Sequence, residues 1–302
     1  MRKMIRKHTR HCGRIGTRAG FIQVSYFPYT DPKKADRRKR FQETTPRNRL
    51  LNDRHARRYL EALALANFGE GDLLVGLSYS NELHPGSMTE AKERFAKFIR
   101  RVNYRRKKMG LPNAKYIVVT ERSGAGRIHH HVLMDKSLDR DIVEASWKEG
   151  WANTKKLQPD AKRGILPVID YIGKTFRRDE TKIQRTRRWD SSRGNLQKPW
   201  VSISDNPRRM SRKRLNLLLQ MPEDCEATKE FVEADNPGYE LIDIRKEYCE
   251  ETGQWHVFCR MRLKDFSTAC GKYVDKPVDK KPGEKCAQKR RGRGSRKRRG
   301  AE

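Results

Sequence analysis

The sequence predicts an α+β fold, an antiparallel sheet with flanking helices, on three observations. Apolar residues run in strand-length blocks at 72–80, 116–122 and 127–134. Between the first two blocks the apolar period becomes helical, and between the second and third the chain turns within SGAG at 123–126. Hairpin connections join antiparallel neighbours, whereas a parallel pair needs a longer crossover.

Taken in order, residues 1–47 are rich in Arg, Lys, Thr and Pro, with short apolar patches such as FIQVSYF (21–27), and read as an extended or partly disordered arm. From 48 to 68, Leu51, Tyr59, Leu60, Leu63, Leu65 and Phe68 sit among paired charges and predict a helix ending at Gly69. Its less apolar side carries Arg54, Arg57 and Arg58, available to phosphate or simply to solvent. DLLVGLSYS (72–80) follows a Gly-Glu-Gly break and reads as a buried strand. Ser87 opens S-M-T-E, a capping box, and Ala91, Phe95, Phe98, Ile99 and Val102 then recur at helical spacing until Gly110 and Pro112. Arg100, Arg101, Arg105, Arg106, Lys107 and Lys108 are expected at the outer side and end of that helix, where cations suit its C-terminal dipole.

After the hairpin, a helix is expected over 139–149, with Asp139 as N-cap, Ile142, Val143 and Trp147 inward, and Gly150 at its end. In GILPVIDYIGKTF (164–176), Pro167 fits the first turn of a helix carrying Tyr171. Residues 187–200 read as a polar loop, 211–220 as a helix, and 239–263 as a hairpin around Glu251-Thr252-Gly253. Cys249 and Cys259 flank that turn and could face each other, as packed thiols rather than a disulfide. The tail from Lys276 onward has almost no apolar content and reads as disordered. The expected organisation is therefore 1–69 basic arm and helix, 70–200 a catalytic domain, 201–275 an accessory region with a hairpin, and 276–302 a basic tail.

Composition narrows the partner. The 302 residues include 70 Lys plus Arg against 38 Asp plus Glu, a formal net charge of +32. Such an excess implies a polyanion, and nucleic acid is favoured because no basic amphipathic helix or lipidation motif points to a membrane. No run of 18 apolar residues exists, and the basic N-terminus lacks the apolar stretch of a secretory signal, so a cytoplasmic protein is expected. The six cysteines contain no CxxC pair, which argues against a zinc ribbon or finger.

The chemistry concentrates in YIVVTERSGAGRIHHHVLM (116–134). Alternate strand residues share a face, so His129 and His131 project together and His130 points away. If Gly124-Ala125-Gly126 is a three-residue loop, Arg122 faces Ile128 and Glu121 lies opposite His129; a two-residue loop would reverse the side. Two imidazoles and a carboxylate form a three-ligand set with open positions, suited to Mg²⁺ or Mn²⁺ held with a substrate phosphate, although the ligands alone do not exclude zinc. A metal there could act on a phosphodiester but needs a nucleophile. Tyr171 and Lys174, three apart, share a helical face. A phenol, with a free pKa near ~10, needs a cation or base to help it. On spacing alone a tyrosine beside Ile169 and Ile172 also suits a core position. GKT at 173–175 is not a P-loop, because Val168 stands where the earlier glycine is required.

These residues resemble the HUH endonucleases, and more narrowly the rolling-circle replication initiators of small plasmids and single-stranded DNA phages. The resemblance rests on LVGLSYS, then GRIHHHV, then YIGK, in that order, and runs from about Asn52 to Pro199. In this chain His130 stands at the middle position of the histidine motif, where the family has an aliphatic residue. The resemblance implies an HUH nuclease-like sheet with a ferredoxin- or RRM-like core. It implies that Tyr171 attacks a phosphate of single-stranded or extruded origin DNA, stays joined to the 5′ end, frees a 3′ hydroxyl for a polymerase, and later rejoins the strand. His129, His131 and Glu121 would hold the metal, and Lys174 would assist the tyrosine or steady the DNA. Relatives with a second tyrosine one turn on differ from this chain, which has Lys174, Thr175 and Phe176 there, so rejoining would need a second subunit or a second use of Tyr171. Lacking a motor motif, the chain would rely on a host helicase. A transposase or relaxase of the same superfamily, and a non-catalytic basic nucleic-acid-binding protein, remain as alternatives.

Overall fold

The computed structural model describes residues 4–29, 46–173, 189–249 and 253–264. They form two five-stranded antiparallel sheets. The first contains β3 (Leu73–Tyr79), β4 (Tyr116–Arg122), β5 (Ile128–Met134), β6 (Gly150–Lys156) and β7 (Trp189–Ser191), in the order β6-β3-β5-β4-β7. The second, ordered β8-β1-β2-β10-β9, contains β1 (Met4–Ile15), β2 (Arg18–Tyr29), β8 (Trp200–Ser204), β9 (Tyr239–Cys249) and β10 (Gln254–Leu263). The α+β class with an antiparallel sheet is as the sequence predicts.

One face of the first sheet packs on α2 (Met88–Lys108) and α3 (Arg140–Ala145). The side chain of Ser87 accepts from the Glu90 amide, and Glu90 accepts from the Gly86 amide, so the expected N-terminal signal caps α2. Ala91, Phe95, Phe98, Ile99 and Val102 are all buried against β3, β4 and β5. Burying a side chain such as Phe98 contributes roughly 1.5–3 kcal/mol. The opposite face packs on α1 (Pro46–Asn67) and α4 (Leu166–Ile172), through Leu60, Leu63, Ile169 and Ile172. The second sheet packs on α5 (Arg212–Gln220) and α6 (Glu226–Asp235).

Several expectations are corrected. The basic arm contains the β1–β2 hairpin at the centre of the second sheet, paired along almost its whole length. Its alternation is obscured because an inward position holds Lys7, whose Nζ donates to Asp235 at 2.7 Å in the buried interior. The helix expected over 139–149 stops at Ala145, and Gly150 begins β6 instead of ending a helix. Gly150 has φ +151°, and a Cβ there would lie 2.5 Å from the Ser78 carbonyl oxygen, so only glycine lets β6 approach β3 this closely. The expected loop 187–200 contributes β7 and the first residue of β8. Helix α6 was not expected.

Arg106 does not face outward: it is 1% exposed, and its guanidinium grips Asp135 and donates to the Pro112 carbonyl. Cys249 pairs with Gln254 and Cys259 with Ile244, so the two cysteines do not oppose each other. The tail from 276 onward lies outside the described residues. Among the described residues, no helix is long and apolar enough to cross a membrane.

Candidate metal centre and its tyrosine helix

The centre depends first on the β4–β5 turn. The Ser123 amide donates to the Arg127 carbonyl at 2.8 Å and the Gly126 amide to the Ser123 carbonyl at 2.9 Å, leaving Gly124, Ala125 and Gly126 as the loop. Gly126 has φ +79°, the left-handed conformation that closes a three-residue hairpin loop. The resulting register sets Arg122 opposite Ile128 and Glu121 opposite His129, the pairing expected for that loop. Val119 lies opposite His131. Glu121, His129 and His131 therefore share the sheet face that carries α1 and α4.

Their donor atoms converge. Nε2 of His129 lies 2.6 Å and Nε2 of His131 3.1 Å from the same oxygen, Oε1 of Glu121. One ligand atom from each of the three residues lies within 4.8 Å of the others. The side chains are partly buried, His129 at 26%, His131 at 15% and Glu121 at 12% exposure. The hydrogen bond to Glu121 raises the His129 pKa above its ordinary value, against the opposing effect of burial. This donor set fits a divalent metal: two imidazole nitrogens and a carboxylate oxygen on one side, with the outer side open. A metal would compete with the proton on His129, because the ligating imidazole is neutral.

His130 points into the other face, as alternation requires. It is fully buried, with Nε2 2.7 Å from the Tyr79 hydroxyl and Nδ1 2.9 Å from Oγ1 of Thr120. Burial foremost, then the charges of His129 and His131, push its pKa down to about 3. A neutral imidazole bridging β3 and β4 fixes the middle of β5, so the third histidine orients the strand that bears the other two.

The Tyr171 ring stands 5.4 Å from the His131 ring at an interplanar angle of 75°, and Tyr171 is 54% exposed. Leu166, Ile169 and Ile172 fasten the inner side of α4 to the core, and Pro167 occupies its first turn. Asp170, which sequence reasoning missed, secures the helix laterally. Its carboxylate accepts from Arg57 at 2.8 Å and from Arg163 at 2.9 Å, and lies 3.9 Å from Arg260. Arg260 is buried against Glu61 at 2.7 Å. The available signal was a lone acid inside an otherwise apolar helix. Arg57 is thus committed to α4 and Glu61, while Arg54 and Arg58 pair with Glu247, so none of the three is a free phosphate-facing cation. Lys174 lies outside the described residues.

The ligand-bearing face continues without a covering helix toward β6. Trp151 pairs with Ser78, Ser78 with His129 and His129 with Glu121, forming one row across four strands. Trp151 is 64% exposed, and Asn153 and Lys155 follow it on the same face, also exposed. Strand spacing puts Trp151 roughly 10 Å from His129. Trp189 and Trp200 instead pack against Tyr59 and His11. A cavity of about 920 Å³, to which Arg193 contributes, lies along α2, β4 and β7 and contains neither Tyr171 nor the metal-ligand group.

An antiparallel sheet with two alternate histidines on its middle strand, a glutamate on the neighbouring strand and a tyrosine helix against them defines an HUH-type nucleic-acid-processing domain. Residues 72–176 match the family model of the replication-associated protein ORF2, and through this segment the chain belongs to that family of phage rolling-circle replication proteins. The match spans Glu121, His129, His131, Tyr171 and Lys174. Neither a curated protein nor a solved structure matches the chain. Membership of a replication-protein family implies that the chain binds DNA.

Proposed function

We propose that the chain initiates rolling-circle replication by nicking single-stranded origin DNA through Tyr171. The carrying observation is the convergence of Glu121, His129 and His131 beside the tyrosine helix, with the Tyr171 and His131 rings 5.4 Å apart. Tyr171 would lose its phenolic proton and form a Tyr–O–P bond while the P–O3′ bond breaks. The 5′ phosphate then stays on the enzyme, and the departing 3′ oxygen takes up a proton to become the primer hydroxyl. Rejoining is the reverse attack by a 3′ hydroxyl. Glu121, His129 and His131 would hold Mg²⁺ or Mn²⁺, which when bound supplies Lewis-acid polarisation of the scissile phosphate. Lys174 would stabilise the phenolate or the phosphate charge. A host helicase would unwind the duplex, a host polymerase would extend the 3′ end, and a second copy of the chain could supply the tyrosine for rejoining.

The segment 70–200 would be the nicking domain, Trp151 a stacking surface for the bound strand, and residues 201–275 an accessory region. Labelled single-stranded oligonucleotides covering candidate origin sequence, incubated with Mn²⁺, test the reading. Wild type should form a denaturation-resistant protein–DNA adduct, Tyr171→Phe should form none, and His129→Ala should lose the metal dependence. Absence of an adduct with every oligonucleotide and metal would sink the enzymatic reading. An adduct persisting in Tyr171→Phe would move the nucleophile elsewhere.

A further inference from the structure

A second basic surface lies on the side of the first sheet away from the metal ligands. Helices α2 and α3 cover that face, and between the C-terminal half of α2 and the end of α3 runs an open groove of about 510 Å³. Its lining contains Arg100, Arg101, Arg105, Lys108 and Lys148, together with Tyr104, and no acid.

The state of these cations distinguishes them from the arginines elsewhere in the fold. Arg57, Arg94, Arg106 and Arg260 each have a carboxylate within ion-pair distance. Among the described residues, no carboxylate lies within 4.0 Å of Arg100, Arg105, Lys108 or Lys148. Arg101 is anchored by its Nε, which donates to the Ser146 carbonyl at 2.7 Å, while its buried Nη2 has no hydrogen-bond partner. Lys108 sits 4.9 Å from the centre of the Tyr104 ring, so the one exposed aromatic already carries a cation and is not a free stacking surface. Like charges gathered without counter-charges repel one another, and an incoming polyanion relieves that repulsion. A groove offering cations without an open aromatic shelf suits sugar–phosphate backbone rather than unstacked bases.

We infer that this groove is a second DNA-contact site that holds the phosphate backbone of duplex DNA flanking the nick. Duplex DNA is the favoured occupant because it presents phosphate charge about every 1.7 Å of its axis. The inference rests on the reading of the chain as a DNA-nicking protein, but it concerns the opposite side of the sheet. A duplex contacting α2 and α3 would leave the Tyr171 side open to the single strand.

The test uses the full chain carrying Arg100→Gln, Arg105→Gln and Lys148→Gln, all exposed positions outside the proposed nicking machinery. Fluorescence anisotropy with a labelled duplex, measured across a salt series, should show binding weakened roughly tenfold or more. The slope of log K against log salt should fall by about 2 to 3, nearly one unit per lost phosphate contact. Adduct formation on a short single-stranded oligonucleotide should be unchanged. The control neutralises Arg208, Arg212 and Lys213, exposed residues before and within the start of α5. Unaltered duplex affinity and slope in the groove variant would overturn the inference, and so would an equal loss in the control, since charge alone would then explain it. Single Arg105→Gln and Lys148→Gln variants, each expected to lower the slope by about one, guard against a folding defect in the triple variant. A wild type that forms no adduct, combined with a groove variant that still loses duplex binding, would refute the nicking function and leave the groove standing.

Discussion

Replacing Asp170 by alanine tests how the proposed nucleophile is held. Asp170 precedes Tyr171 and ties α4 to Arg57 and Arg163 through contacts of 2.8 and 2.9 Å. Hydrogen bonds to charged groups are worth about 1.5–3 kcal/mol each. The pair should contribute about 3 kcal/mol, near the low end because Arg163 is 41% exposed. Arg57 also contacts Glu61 at 3.3 Å, so α1 keeps a partner and the loosening falls on the seven residues of α4. A displacement of about 1 Å at a reacting group can cost on the order of 10²-fold. Single-turnover adduct formation with Mn²⁺ should therefore slow by about 10- to 100-fold, at an unchanged half-saturating oligonucleotide concentration. Metal affinity at Glu121, His129 and His131, measured by calorimetry, should not change, and Asp170→Glu should recover much of the rate. Weaker oligonucleotide binding at a normal rate would make Asp170 a DNA contact. An unchanged rate and affinity would refute the idea that this carboxylate aims Tyr171.

Three further outcomes follow from the same geometry. Trp151→Ala should weaken oligonucleotide binding without altering the maximal adduct rate, by the ~1–3 kcal/mol associated with stacking one base; equal affinity would remove Trp151 from the DNA path. Glu61→Ala should lower stability in urea by about 3 kcal/mol, since Arg260 would lose its closest buried counter-charge but keep Asp243. Glu61→Ala combined with Arg260→Met should recover most of that loss, and a double variant no more stable than the single one would contradict the assignment. Burial foremost lowers the pKa of His8, His11, His55 and His256. Below about pH 6.5 the unfolded chain therefore binds more protons at these sites, and their contribution to stability decreases as pH falls. The urea midpoint should be lower at pH 5 than at pH 7, with a smaller difference in His55→Gln; an unchanged or higher midpoint at pH 5 would contradict the sign.

The parts legible in the sequence are those governed by local rules. Helix α2 has a cap, a helical apolar period and a glycine stop, and its five expected inward residues are buried. The β4–β5 register followed from loop length, because side-chain direction has a period of two and Gly126 accepts the conformation the loop requires. Elements specified by distant partners were not legible. In β1 the inward face includes Lys7, which hydropathy assigns to solvent but Asp235 and burial place inside. In β6 only Thr154 is fully buried, so an edge strand with an exposed tryptophan and lysines carries little strand pattern. Arg106 lies in a basic run, and nothing local distinguishes it from Arg105, yet Asp135 on the far side of the hairpin draws it inside.

The paired arginines also explain why so basic a chain cannot be treated as uniformly DNA-facing. Helix α1 is buried on both sides at Leu60, Glu61, Ala62, Leu63 and Ala64, since Leu60, Leu63 and Ala64 pack toward the first sheet while Glu61 meets Arg260 of the second. A buried ion pair adds little stability over a well-packed apolar pair, so its consequence here is directional. The two Glu61 oxygens accept separate bonds from Arg260 at 2.7 and 3.1 Å, which resists rotation of α1 about its axis. One turn earlier, Arg57 reaches Asp170, so the orientation set by the second sheet passes through α1 to the helix bearing Tyr171. The β1–β2 hairpin joins this arrangement through Gln23, which donates to Glu61 at 3.3 Å. The N-terminal segment that the sequence suggests is a loose basic arm therefore helps determine how the tyrosine helix sits over the histidines.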